Sequence, residues 1–229
     1  LSPCVTFRPE QREWKELAHP ASVTVTHDPA KAARRIMTDD GFNIGVLYAG
    51  SRPAYARTPA ASATLAQIEE AFSSNLWKDI ENASLSGGEP TTRNDMVEIC
   101  RLMIDKFPKL RKLTINTTGL TPQRAIPMLT KVVEMCHERN VIFSTRVSVD
   151  GVGDMHGEVR NVRKAFEKAG KTIAAMQELQ KKYRFNFGIS STIFSKNLED
   201  ADNILAWAKK EKLDIVFNMV RFSDPMLGN

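Results

Sequence analysis

The sequence predicts an α/β fold, a partial (βα)6 barrel of the TIM type with parallel strands and a short N-terminal extension. Short apolar runs alternate along the chain with longer segments of helical periodicity, and the connections between them are short. Repeated crossovers through single helices indicate a parallel sheet with right-handed connections. With 229 residues, 42% of them hydrophobic, the chain can bury one substantial core. We assign residues 1–40 to the extension and residues 41–229 to the barrel core.

The first half of the barrel core is predicted to hold three strand–helix units. Thr64 with Gln67, and Thr92 with Asp95, have the spacing of a helix capping box. Thr121 precedes Pro122, which suits the first turn of a helix. The predicted strands are 43–48, 82–86 and 113–116, and the predicted helices are 64–77, 96–107 and one that begins at Thr121.

The second half continues the alternation. Its predicted strands are 141–149, 185–193 and 215–220, and its predicted helices are 162–183 and 198–212. His156 falls in the predicted loop after the fourth strand. Residues 51–62, rich in Ala, Pro and Arg, form the longest predicted loop. In the extension, 23–26 is a candidate edge strand and 30–37 a candidate helix.

Charge and cysteine usage exclude several classes of protein. The net charge of +5 comes largely from lysines on one predicted helix, without interleaved aromatic residues, so a solvated helix face is favoured over nucleic-acid binding. Cys4, Cys100 and Cys136 form no CxxC pair and no secreted disulfide pattern, which favours a reducing, cytoplasmic location. No run approaches the roughly 20 apolar residues of a membrane span, and the N-terminus lacks the apolar segment of a signal peptide.

Polar and glycine residues follow the predicted strands. In a parallel barrel the C-terminal ends of the strands meet at one rim, where ligands bind. Glycine lets a ligand approach the backbone closely, and hydroxyl, amide and carboxylate groups orient it. The sequence therefore predicts a ligand site at this rim. The segments are Gly87-Gly88-Glu89-Pro90, Asn116-Thr117-Thr118-Gly119, Ser148-Val149-Asp150-Gly151 and Ser190-Ser191-Thr192.

With these segments in this order, residues 43–221 resemble the radical SAM superfamily, and the GGEP segment is the most specific element. The likeness is greatest to the branch that modifies peptides, sugars or other small substrates. Members of that branch carry Ser-x-Asp-Gly followed by His-Asp-x-x-Arg-Gly. Here the second motif reads His156-Gly157-Glu158-Val159-Arg160-Asn161, which departs at two positions.

The resemblance implies a site for S-adenosylmethionine at the rim. The GGEP segment would hold the methionyl end, Ser148 and Asp150 would contact the ribose, and an aromatic side chain at Tyr48 would pack on the adenine. Thr192 and Val220 are further adenine candidates. The implied cofactor-binding residues are Tyr48, Gly87, Gly88, Glu89, Pro90, Asn116, Ser148, Asp150, Thr192 and Val220.

The resemblance also implies a [4Fe-4S] cluster held by three thiolates in CxxxCxxC, but the equivalent positions are Phe42, Val46 and Ala49. None of these side chains can ligate iron. We therefore predict no metal site, and a pseudoenzyme that binds S-adenosylmethionine or a former substrate, or that acts as a scaffold beside an active paralogue. Residues 42–49 as an ordinary buried strand, whose spacing matches by accident, remain an alternative.

Two enzyme hypotheses stay open beside this one. The chain represents a cluster-less variant or a fragment of an active radical SAM enzyme that acts on a small molecule or peptide. Alternatively, it is a barrel enzyme that uses Glu89, Asp150 and His156 as acid–base residues at the rim.

Overall fold

The structure is a computed structural model that describes the backbone of residues 44–48 and residues 63–86 and 88–219. The predictions for Phe42, Ala49, Gly87, Val220, the extension 1–40 and the loop 51–62 lie outside the described residues. Six parallel strands pair in chain order, from β1 at one edge of the sheet to β6 at the other. The strands are β1 Ile44–Tyr48, β2 Asn82–Ser86, β3 Lys112–Ile115, β4 Ile142–Ser148, β5 Asn186–Ile193 and β6 Asp214–Met219.

Helices connect successive strands, which confirms the α/β fold with the arrangement of a partial, unclosed barrel. Because every strand pairs with its neighbour in sequence, all the crossovers run in the same direction around the sheet. The helices are α1 Leu65–Phe72, α2 Met96–Lys106, α3 Pro122–Glu138, α4 Asp154–Arg160, α5 Ala165–Gln180 and α6 Ala201–Lys210. No helix among the described residues is long and apolar enough to cross a membrane.

The sheet has two chemically different faces. Alternate strand residues such as Leu85, Ile115 and Val147 are buried and belong to one core with the apolar sides of the helices. The residues between them point to the opposite face, which we call the inner face. Ser84, Thr114 and Ser144 pair in register there and are only half-buried. The core therefore lies between sheet and helices, and the inner face is polar.

Of the two helix capping boxes predicted from the sequence, one is confirmed and the other is wrong. Thr64 and Gln67 form the predicted capping box at α1, with each side chain bonded to the other residue's backbone N–H. The box predicted for Thr92 and Asp95 is wrong. Thr92 lies in a 3-10 turn, where its hydroxyl donates to the Glu89 carbonyl (2.7 Å), and the Asp95 carboxylate pairs instead with Arg93 (2.6 Å).

The helix predicted over 162–183 is also wrong in extent. Within this region one helix, α5, covers Ala165–Gln180, and the shorter helix α4 ends before the region begins, with residues 161–164 between the two. Asn161 and Lys164 have φ values of +51° and +58°, which end one helix and precede the next. His156 therefore lies in helix α4, not in a loop. Two other predicted helices shorten to α1 and α6, each with an adjoining 3-10 turn, at Asn75–Trp77 and Leu198–Asp200 respectively.

Candidate functional site

Glu89 holds the GGEP segment against the end of β3. Its Oε1 accepts hydrogen bonds from the Thr91 N–H, the Thr91 hydroxyl and the Thr117 hydroxyl (3.2, 2.6 and 2.7 Å), and its Oε2 accepts from the Thr118 N–H and hydroxyl (both 2.6 Å). Two carboxylate oxygens have about four lone-pair sites. All the acceptor sites of the carboxylate are therefore used. We call this set of hydrogen bonds a bracket, because it links the ends of the neighbouring strands β2 and β3.

Asp150 forms a second bracket, between β4 and β5. Its Oδ1 accepts from the Thr192 N–H (2.8 Å), and its Oδ2 pairs with Nη2 of Arg160 (2.5 Å). Its carbonyl accepts from the Asn197 amide (2.8 Å). Only 3% of Asp150 is exposed. The residue predicted to contact the ribose thus supports the rim from within, and its role as a ligand remains a prediction.

His156 completes this support from α4. The side chain is fully buried, and its Nδ1 accepts from the Asp150 N–H (3.1 Å), which assigns the remaining ring proton to Nε2. Nε2 is buried without a hydrogen-bond partner. The pKa of His156 is lowered to about 4, mainly by burial and also by the charge of Arg160, while the charge of Asp150 opposes both. The imidazole is therefore neutral at pH 7.

The exposed polar groups of the rim come from the strand ends themselves. Asn116 and Thr192 are exposed, Ser148 is half-buried, and its hydroxyl makes no hydrogen bond to another described residue. The Asn116 Oδ1 accepts from the Arg146 N–H (3.0 Å), which leaves the amide NH2 free to donate toward the inner face. Among the other predicted residues, Gly88 is exposed and Pro90 is buried. Tyr48 ends β1, with its backbone paired to Ser86.

The inner face continues below the rim as a series of small polar residues, which sequence reasoning missed. Ser148 pairs with Ser190, and one row deeper Arg146 pairs with Gly188. The sequence carried a signal for this face, because Ser and Thr alternate with apolar residues in β2 and β3. A strand buried by helices on one face and by a ligand or solvent on the other shows this period of two.

The described residues do not provide the ligand set of a cluster. In the described part of the chain no group of three His, Cys, Asp or Glu residues is placed to hold a metal ion. Cys100 and Cys136 are buried in helices, where burial raises the pKa of Cys100 well above its usual range and that of Cys136 to about 12. The side chains that the sequence puts at positions 42, 46 and 49 offer no donor atom.

The described rim does fit a polar nucleoside ligand. Hydroxyl and amide donors of Asn116, Ser148 and Thr192 face open space, and the two carboxylates that could repel or misplace a ligand are held by internal donors. A surface depression of about 370 Å³ lies at residues 180–185, at the opposite ends of the strands. No rim residue lines it.

Two curated proteins are similar to part of this chain. A Methanosarcina barkeri protein named AdoMet-dependent heme synthase is 35% identical over 127 residues, which are 55% of this chain and 32% of that protein. An Arabidopsis thaliana protein named GTP 3',8-cyclase, mitochondrial, is 31% identical over 100 residues, which are 44% of this chain and 23% of that protein. No family model matches the chain.

Both relatives are radical SAM enzymes, and together with the parallel sheet they support a relationship with that superfamily at modest identity. The two matches support a radical-SAM-like domain in this chain. The chain spans about a third or less of the length of these relatives. Enzymes of this superfamily use S-adenosylmethionine together with a [4Fe-4S] cluster.

Proposed function

We propose that the chain is a radical-SAM-like domain that binds S-adenosylmethionine at the C-terminal ends of its strands without a [4Fe-4S] cluster, and that it therefore does not cleave the cofactor reductively. The observation that carries this proposal is the pair of brackets at Glu89 and Asp150. They join the ends of four strands through bonds within the chain, so little ordering is needed when a ligand binds.

The residues present suggest how the cofactor would be held. The backbone of the bracketed GGEP segment would meet the methionyl end, and the Ser148 hydroxyl would donate to or accept from the ribose. Thr192 would line the adenine side. The name of the Methanosarcina relative includes AdoMet dependence, which supports this choice of ligand. Because Glu89 and Asp150 are occupied internally, we assign them to positioning rather than to proton transfer.

Calorimetric titration with S-adenosylmethionine after anaerobic incubation with iron and sulfide tests the proposal. We expect binding without iron uptake or charge-transfer absorbance. Ser148→Ala should weaken binding about three- to tenfold, the worth of one neutral hydrogen bond. Ser144→Ala is the matched control, since it lies on the same face of the same strand, roughly 13 Å farther from the rim. About four bound iron atoms per chain, or no binding of the cofactor, would refute the proposal.

A second candidate is an active radical SAM enzyme represented by a variant sequence. The two relatives, both named for enzymatic reactions, favour it. The triple substitution Phe42→Cys, Val46→Cys and Ala49→Cys, followed by reconstitution, tests this candidate. A stable cluster and cleavage of S-adenosylmethionine would support it, whereas failure to hold iron would leave the cluster-less binder as the better explanation.

A further inference from the structure

We propose that Arg146 forms, with the Ser190 hydroxyl, an anion-binding subsite on the inner face, which takes a carboxylate or phosphate group of a small ligand. This subsite is separate from the rim position assigned to S-adenosylmethionine. The inference rests on the proposed function only in placing a ligand on the same face of the sheet.

The position of the arginine is the first argument. Arg146 lies on the inner face of β4, two residues before Ser148 and thus roughly 6.5 Å deeper than the rim. Ser144 precedes it on the same face, Asn116 accepts its backbone N–H, and its partner in the sheet, Gly188, lies two residues before Ser190. A guanidinium beside a serine hydroxyl can present several N–H and O–H donors to an anion.

Gly188 is the second argument, because it leaves the space that the guanidinium occupies. A Cβ at Gly188 would lie 2.8 Å from the Arg146 Nη1 and 2.6 Å from the Asp214 carbonyl oxygen. Arg146 therefore crosses β5 over a residue without a side chain. The Arg146 Nη1 donates a hydrogen bond to the Ile189 carbonyl (3.0 Å), which fixes one end of the guanidinium group.

The third argument is that the positive charge of Arg146 is only weakly paired within the protein. The Arg146 Nη2 lies 3.6 Å from the Asp214 carboxylate, whose side chain is 81% exposed, so this pair is weak. The Arg146 side chain is itself 29% exposed. Arginine has five N–H donors in a planar fork that matches carboxylate and phosphate geometry. Among the described residues, one N–H of the guanidinium is hydrogen-bonded, to the Ile189 carbonyl.

Charge across the inner face supports an anion rather than a cation as ligand. On the described inner face of β2 to β6, the basic residues are Lys112 and Arg146, and the acidic residue is Asp214. Asp214 begins β6 and competes with an incoming anion for the guanidinium. Removing its charge should therefore strengthen anion binding, an effect that a purely structural arginine–aspartate pair would not produce.

Titration of the 15N-labelled protein with inorganic phosphate, followed through the arginine Nε–H resonances, tests the subsite; succinate serves as the carboxylate probe. We expect one resonance, absent from Arg146→Gln, to shift with saturation at millimolar phosphate. Arg146→Gln should weaken binding at least tenfold, Arg146→Lys less, and Asp214→Asn should tighten it a few-fold. Arg139→Gln, which removes an outer arginine paired with Asp105, is the matched control and should change nothing.

Non-saturating shifts spread over many arginines, or phosphate binding retained in Arg146→Gln, would overturn the inference. Competition between phosphate and S-adenosylmethionine would also overturn it, because the anion would then be the cofactor's own carboxylate. If the wild-type chain binds phosphate through Arg146 and fails to bind S-adenosylmethionine, the proposed function is refuted and the subsite stands. Thermal unfolding of each variant shows whether a lost signal reflects a lost fold.

Discussion

Replacing Glu89 with glutamine should destabilise the fold although the two side chains have nearly the same shape. The carboxylate accepts five hydrogen bonds, two of them from the backbone N–H groups of Thr91 and Thr118. A glutamine amide has one oxygen and one NH2 group. Whichever way it is oriented, the NH2 group faces one of these two backbone donors at close range. At least one N–H is then left without an acceptor.

The magnitude follows from that count. An unsatisfied buried donor costs about 1–3 kcal/mol, and hydrogen bonds to a charged acceptor are worth more than those to a neutral one. Glu89 is half-buried, so water relieves part of the penalty. We expect a loss of about 2 kcal/mol in the free energy of unfolding, or roughly 4–8 °C in melting temperature for a chain of this size.

Urea unfolding at pH 7 measures this loss. The control is Glu81→Gln, at a residue just before β2 whose carbonyl accepts from Arg111 and Lys112 and whose side chain takes no part in these bonds. It should stay within about 0.5 kcal/mol of wild type. An equally small effect of Glu89→Gln would show that the bracket does not hold the rim.

Two further predictions concern buried titratable groups. Because the pKa of His156 is lowered to about 4 in the fold from 6.5, its contribution to stability is complete above pH 6.5 and is lost as the pH falls toward 4. Urea unfolding should show a loss of about 2 kcal/mol between pH 7.5 and 5.0 that His156→Gln abolishes; an unchanged slope in the variant would contradict this assignment. Cys100 and Cys136, with raised pKa values, should resist iodoacetamide at pH 8 in the native protein and react in denaturant, as mass spectrometry would show. Rapid native labelling of either thiol would count against its burial.

The alternation of strands and helices was predictable because its signals are local. Each strand contains short apolar stretches or alternating apolar residues, and the capping pair Thr64 and Gln67 marks the start of α1 through side chains three residues apart. The pair Thr92 and Asp95 has similar spacing, yet long-range contacts decided otherwise. The Glu89 side chain bonds to the end of β3, and the Glu89 carbonyl accepts from Thr92, which lies in a 3-10 turn. The contact with β3 joins residues 28 positions apart, so a local sequence pattern could not reveal it.

That the strand-end residues lie at one rim was predictable from the sequence, and the contacts they make there were less so. Strand-end residues meet at one rim, as parallel topology requires. The sequence did not reveal that Asp150 and His156 are buried supports, because their partners lie on other elements, nor that α4 is helical despite Gly157. Arg146 escaped notice because its relation to Gly188 depends on strand register.

The strictly sequential order of the sheet has a consequence for how the chain acquires its structure. Asn82 pairs with Lys112 and Ser144 with Asn186, so each strand finds its partner within about 30 to 45 residues along the chain. Pairing between such near segments requires only short loops to close, and a short loop loses less entropy. The sheet can therefore grow one unit at a time as the polypeptide leaves the ribosome, each new strand docking on the one made before it.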